Sequence, residues 1–163
     1  MAELALTKGR VAIIDDEDFN FLSNFNWYFL SNGYAASSSK INSKNFSLMH
    51  RVIMDHHGVN LKNSFVDHIN RNGLDNRKIN LRKADDSQNQ GNQIINKHNH
   101  SGFKGIYLDK ARNKYAVQIC VNRKKIFLGR FKDKISAALK YNEAALEYFG
   151  EFARINIIGV ENV

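Results

Sequence analysis

The stretch from Ser64 to Gln93 constrains the fold of this chain more than any other. Two short segments, SFVDHI and INLRKA, flank the polar run NRNGLDNRK, and DDSQNQGNQ follows. Both segments read as strands. Asn72-Gly73 is a strong turn signal inside the polar run. Asp85, with Gln88 three residues on, forms a capping-box start for a helix. That helix places Asn89 and Asn92 near its beginning, on neighbouring positions of one face. Strand, loop, strand and helix in one short window point to an α+β fold.

The remaining segments fit around this window. RVAII at 10–14 reads as a strand, and 15–25 as a helix with acids in its first turn, where the helix dipole favours them. Residues 27–30, 33–37 and 45–49 are strand pieces, with SNG at 31–33 as a turn. HRVIMDHHG at 50–58 reads as a helix stopped by Gly58. Residues 94–100 are polar and unpatterned, a linker that the absence of proline leaves flexible.

A last unit follows, with strands FKGIYL, KYAVQICV and KKIFLG, a turn at Asn122-Arg123, and a helix over 134–149 between Asp133 and Gly150. Tyr115, Val117 and Ile119 alternate with Ala116, Gln118 and Cys120 as in a half-buried strand. Val117, Ile119, Ile126 and Leu128 are expected beneath the helix. On the helix, Ile135, Ala138, Leu139, Ala145, Leu146 and Phe149 recur at helical spacing and are the expected core face.

Charge narrows the partners. Lys and Arg number 24 against 16 acids, a net charge of +8. The excess concentrates after residue 100: residues 101–163 carry 12 basic and 6 acidic side chains. Such a field attracts polyanions (nucleic acid, acidic proteins or anionic lipid), and composition alone suits a solvated basic surface as well. The single cysteine, Cys120, excludes a disulfide framework and a Cys-rich zinc site. No apolar run approaches the ~20 residues of a membrane span. The expectation is a soluble, cytoplasmic protein with no membrane partner.

Asp67-His68, Asn80 and Asn89 fall in turn on the first strand, the second strand and the helix of the opening window. Read singly, they are a surface pair, a turn residue and a cap. Read together they suit phosphodiester hydrolysis, which needs an activated water and neutralisation of phosphate charge. A neutral imidazole can take a proton from water, and a hard divalent ion prefers oxygen ligands. The text LMHRVIM and VDHINRNGLDNRKINLRKADDSQNQGN resembles the HNH endonuclease family, in particular the homing branch found in phages and mobile introns, over roughly residues 48–92. The resemblance implies a ββα-metal core with His68 as general base and Asp67 and Asn89 as metal ligands. It makes Asn80 the middle residue of the motif, orienting loop and imidazole. His50 and Arg51 would contact the scissile phosphate. Mg²⁺ is the expected ion and Mn²⁺ the alternative. His56, His57, His98 and His100 are read as solvated side chains.

Between Ser101 and Lys132 nine Lys/Arg and one acid, Asp109, are interleaved with Tyr107, Tyr115 and Phe127. A basic β-face of this kind can enter the major groove. SGFKGIYLD, KYAVQI, KKIFLGRF and AALKYNEAALEYFGEFARIN resemble the Apetala, or ethylene-response-factor, DNA-binding domain over residues 101–156. That resemblance implies a three-stranded antiparallel sheet packed on one helix, with Lys104, Tyr107, Gln118, Arg123, Lys125, Phe127 and Arg130 as DNA-binding residues. Plant members often carry arginine and tryptophan where this chain has Lys104, Tyr107 and Phe127, so base preference does not carry over.

The expected organisation is a nuclease module with an N-terminal subdomain over 1–93, a linker over 94–100, an Apetala-type domain over 101–157 and a tail over 158–163. The expected partner is double-stranded DNA, with no required protein partner and a monomer or DNA-induced dimer as the working state. The rivals are a non-catalytic DNA-binding regulator and an RNA-binding protein. The origin expected from the resemblance is a phage gene acting in a bacterial host.

Overall fold

The computed structural model describes residues 1–93, 95 and 99–159. The expected linker and tail lie largely outside the described residues, as does His98. The chain divides into two compact units, Met1–Asp85 and Asp86–Val163. Four helices and several small sheets make the α+β character plain.

In the first unit, β1 (Ala2–Ala5) and β2 (Val11–Ile14) form an antiparallel pair. The opening residues thus supply a strand that the sequence pattern did not announce. Helix α1 (Asp16–Leu22) carries three acids in its first turn. Strands β3 (Tyr28–Phe29), β4 (Ala35–Ser37) and β5 (Ser47–Leu48) make a small antiparallel sheet. Gly33, with φ +92°, turns the chain between β3 and β4. Helix α2 (Met49–His56) follows directly, and β6 (Phe65–His68) pairs antiparallel with β7 (Leu81–Ala84). Ile14, Leu22, Met49 and Ile53 are fully buried, with Trp27, Val66 and Leu81 packed among them. The core therefore takes one apolar side chain or more from nearly every element, and Val66 and Leu81 anchor the β6–β7 hairpin in it.

The second unit opens with α3 (Asp86–Asn92). Strands β8 (Ile106–Asp109), β9 (Lys114–Val121) and β10 (Lys124–Phe131) form an antiparallel meander with β9 in the centre. Asn122 and Arg123, with φ of 49° and 63°, make the turn between β9 and β10, the backbone of a tight hairpin that matches strand twist. Helix α4 (Lys134–Phe149) is capped as expected: Asp133 Oδ1 accepts the Ser136 N–H at 2.8 Å. The closing ARIN has a structural use. Buried Asn156 accepts from the Lys104 N–H at 2.6 Å and exchanges hydrogen bonds with Asn142 of α4.

One expectation about α4 is corrected. Its buried face is Ala137, Ala138, Tyr141, Ala144, Ala145 and Phe149, while Ile135, Leu139 and Leu146 are 46%, 57% and 56% exposed. The alanine stripe wins because the helix lies close to the sheet. At Gly105, φ +77°, a Cβ would fall 2.2 Å from the Tyr141 ring and 2.6 Å from the Gln118 carbonyl oxygen. The Tyr141 ring occupies the space over Gly105 with alanines beside it, and the stripe of Ile135, Leu139 and Leu146 turns outward.

Candidate active site

The β6–β7 hairpin sets the geometry. Asp67 lies directly opposite Arg82, and His68 opposite Leu81. Cross-strand neighbours of opposite charge interact, and Arg82 reaches Asp67 Oδ2 through both Nε and Nη2 at 2.9 Å. Asp67 and His68 are both buried, at 7% and 5% exposure.

The loop between these strands is held by its own amides. Asn80 Oδ1 accepts the Asn70 N–H at 2.9 Å, and its Nδ2 donates to Asn70 Oδ1 at 3.0 Å and to the Asp75 carbonyl at 2.7 Å. Asn70 Nδ2 donates to Asp75 Oδ2 at 2.8 Å. Arg77 grips Asp75 through two 2.7 Å bonds and holds its carboxyl below the usual carboxylate range. The loop is also stitched to β2, because Ile13 donates to the Leu74 carbonyl at 2.8 Å and accepts from the Asn76 N–H at 2.7 Å. The acids before and within α1 serve the loop as well: Asp15 accepts the Lys78 N–H at 2.8 Å, and Glu17 pairs with the Lys78 ammonium.

This scaffold orients His68. Asn76 is fully buried, and its Nδ2 points to the Gly73 carbonyl at 3.5 Å. Its Oδ1 lies 3.2 Å from His68 Nε2. An amide oxygen only accepts, so Nε2 carries the ring proton and Nδ1 keeps the lone pair. Burial depresses the imidazole pKa, against the opposing pull of Asn76, Asp67 and Asp75. A neutral ring with a lone pair on Nδ1 is a competent proton acceptor.

His50, in the first turn of α2, packs edge-on against His68 with centroids 5.0 Å apart. Burial, then the charges of His68 and Arg51, push its pKa down to about 3. Its Nδ1 is buried with no hydrogen-bond partner among the described residues. Arg51 goes elsewhere: its guanidinium donates to the Ser64 carbonyl at 2.9 Å and the Leu61 carbonyl at 3.3 Å. It lines a shallow pocket with Ile41, Lys44, Phe46, Asp55 and Leu61. Successive helical positions point about 100° apart, which separates the two.

An uncharacterized HNH endonuclease of Acanthamoeba polyphaga mimivirus is 30% identical to this chain over 151 residues, spanning 93% of the chain and 77% of that protein. The chain belongs to the HNH endonuclease family. No family model matches it, and no solved structure does.

Within this HNH protein, the first unit brings together His50, Asp67, His68 and the Asn80 that fastens the loop. Asn89 lies on α3 of the second unit, half-buried. Among the described residues no three His, Cys, Asp or Glu side chains converge as a metal cage, so an ion held here would draw on amide oxygens, water and phosphate. Three side chains escaped the sequence reading. Arg82 and Asn76 looked like ordinary strand and loop residues. Tyr34 looked like a strand residue, yet its ring lies 5.3 Å from His50 and 5.7 Å from His68. The density of Asn and Asp in the loop is the one signal that marked part of this network in advance. His57 is also more than a solvated side chain, since its Nε2 meets the buried Asp18 Oδ1 at 2.7 Å.

The second unit arranges the expected DNA-facing residues along strand register. Tyr107 and Arg130 flank Ala116, Phe127 is opposite Gln118, and Lys125 opposite Cys120. Arg130 lies over the Phe127 ring at 4.8 Å and pairs with Asp109 at 2.8 Å. Tyr107, Phe127 and Lys125 are exposed. Arg123 is exposed and pairs with Asp86 at 2.9 Å. Lys104 differs from the others: its ammonium reaches the Gln90 carbonyl at 3.1 Å and the Gly91 carbonyl at 2.5 Å, near the end of α3. No helix of the described residues is long and apolar enough to cross a membrane.

Proposed function

We propose that this chain is a DNA endonuclease that hydrolyses phosphodiester bonds with His68 as general base. The observation that carries the reading is the buried, neutral His68 imidazole, whose Nε2 proton is committed to Asn76 Oδ1 at 3.2 Å, which makes Nδ1 the basic nitrogen of the ring. Nδ1 takes a proton from water as the water oxygen bonds to phosphorus. The bond to the 3′-oxygen breaks, and that oxygen recovers a proton from solvent.

The donor set fits a hard divalent ion. Asp67 is a buried carboxylate beside a neutral imidazole, and oxygen donors of that kind suit Mg²⁺, with Mn²⁺ as the alternative. Asp67 would hold the ion from the first unit. Bound there, the ion would supply charge neutralisation at the phosphate and at the leaving oxygen. Arg82 orients the Asp67 carboxylate, and Asn80 keeps the loop closed over His68. His50, being neutral, adds no competing charge, and Arg51 braces the 61–64 turn.

Sequence direction belongs to the second unit, read as an Apetala-type domain on double-stranded DNA. Its support is the row of exposed Tyr107, Lys125, Phe127 and Arg130, with half-buried Gln118 among them, on one face of the sheet. Linked nuclease and reader raise each other's effective concentration on DNA.

The test is supercoiled DNA with Mg²⁺ or EDTA, using parent and His68→Ala proteins. Metal-dependent nicking or linearisation by the parent alone is expected. Binding without cleavage by the parent, on DNA that carries its site, would instead establish a regulator. Labelled strands distinguish a nick from a double-strand cut.

A further inference from the structure

The three rings at the end of β6 form a triangle, and only two of them have work in the mechanism above. Tyr34 is the third. It follows the turn at Gly33 and stands one residue before β4, half-buried, with its ring against both His50 and His68. One nitrogen of each histidine lies inward. His50 Nδ1 is sealed from solvent, and His68 Nε2 is held by Asn76. The Tyr34 hydroxyl is different. No described residue takes a hydrogen bond from it, and it is not among the polar atoms sealed from solvent. It is a donor at the edge of a buried basic site, with no acceptor among the described residues.

The backbone makes a specific place for this ring. Gly73 sits in the β6–β7 loop, and a Cβ there would lie 2.5 Å from the Gly33 carbonyl oxygen and 2.7 Å from Tyr34 Cδ1. The loop that carries Asn76 and Asn80 therefore closes on Tyr34 at a distance only glycine permits. The ring is fixed from one side by the two imidazoles and from the other by the loop. Burial and the nearby Asp67 charge keep the phenol protonated, raised from its ordinary value. A fixed, protonated, unpaired hydroxyl beside the general base suits an acceptor that arrives with the substrate.

We propose that Tyr34 is a further catalytic residue, whose hydroxyl donates a hydrogen bond to a non-bridging oxygen of the phosphate attacked at His68. The inference rests on the nuclease reading. Its chemistry is that of a preorganised donor aimed at oxygens whose charge rises in the transition state. A merely structural Tyr34 would act through its ring alone.

Tyr34→Phe separates the two, because it keeps the ring and removes the donor. The assay is single-turnover cleavage of a bound duplex in Mg²⁺, beside metal-free binding of the same duplex. The variant should cleave about 10- to 100-fold more slowly, with binding within about twofold and the imidazole NMR signals of His50 and His68 unmoved. A Phe variant as fast as the parent overturns the proposal while leaving the nuclease intact. A parent that shows no metal-dependent cleavage overturns both. Gly73→Ala gives an independent arm: by pressing on the ring it should slow the parent and add little further loss in the Phe background. Equal further losses in both backgrounds would assign Gly73 to the loop rather than to the hydroxyl.

Discussion

In the first unit Asp67 and His68 lie buried under a long loop whose position depends on side-chain amides. In the second unit Tyr107 and Phe127 are 46% and 53% exposed on strands whose position depends on backbone pairing. The first arrangement ties function to stability. Removing one amide loosens both the loop and the imidazole it orients. The second arrangement separates them. A reading residue can change without disturbing the register beneath it, because the core of that unit is the alanine face of α4 against β9. On the proposed function, the catalytic centre would tolerate little substitution, whereas the recognition face would be free to change its target.

That contrast yields graded expectations. His68→Ala should have the largest effect, slowing cleavage by about 10²- to 10⁴-fold with DNA binding unchanged. Retained activity would move the base elsewhere. Asn80→Ala removes three side-chain hydrogen bonds and strands their partners. It should destabilise the chain by roughly 2–4 kcal/mol in urea unfolding. A loss under about 0.5 kcal/mol would show that the loop stands without its amides.

His50 gives a pH test. Folded, it stays neutral down to about pH 3. Unfolded, it takes a proton near pH 6.5. The unfolded chain therefore binds the extra proton between those values. The neutral-ring contribution is complete above about pH 6.5 and declines as pH falls toward 3, by roughly 2 kcal/mol at pH 5. Urea unfolding of the parent from pH 7 to pH 5 should show that slope, and His50→Phe should flatten it. Parallel slopes would place a charge-bearing His50 in the folded state.

Lys125→Ala, on the exposed face, should have the smallest effect. Stability should change by less than about 0.5 kcal/mol, and the slope of log affinity against log salt should fall by about 1. A large stability loss here would end the distinction between the two units.

The sequence disclosed what is contiguous. Asp67, His68 and Asn80 stand in one window with turn residues between them, and the β8–β9–β10–α4 order follows from strand alternation, the Asn122-Arg123 turn and the Asp133 cap. It did not disclose what proximity alone decides. Tyr34 and Gly73 meet because β4 and the β6–β7 loop converge, and neither segment carries a pattern that pairs them. Arg82 acquires its role from register opposite Asp67. The face of α4 was misjudged for a related reason. Two adjacent stripes both recur at helical spacing, and hydrophobicity favours the leucines, whereas the face turned to the sheet combines the alanines with Tyr141 and Phe149.

The hydrogen bonds between Ile13 and the segment Leu74–Asn76 bear on how such a nuclease could be moved between genes. The residues that resemble the HNH core begin near position 48, yet the backbone of that core's loop is completed by a strand at the beginning of the chain. A cassette cut just upstream of the motif would leave the Asn76 amide without its acceptor and the loop unbraced on one side. A piece that keeps the loop braced therefore begins at Met1 rather than at the motif, and recombination that spares the motif while replacing the first strands would carry the signature without that brace.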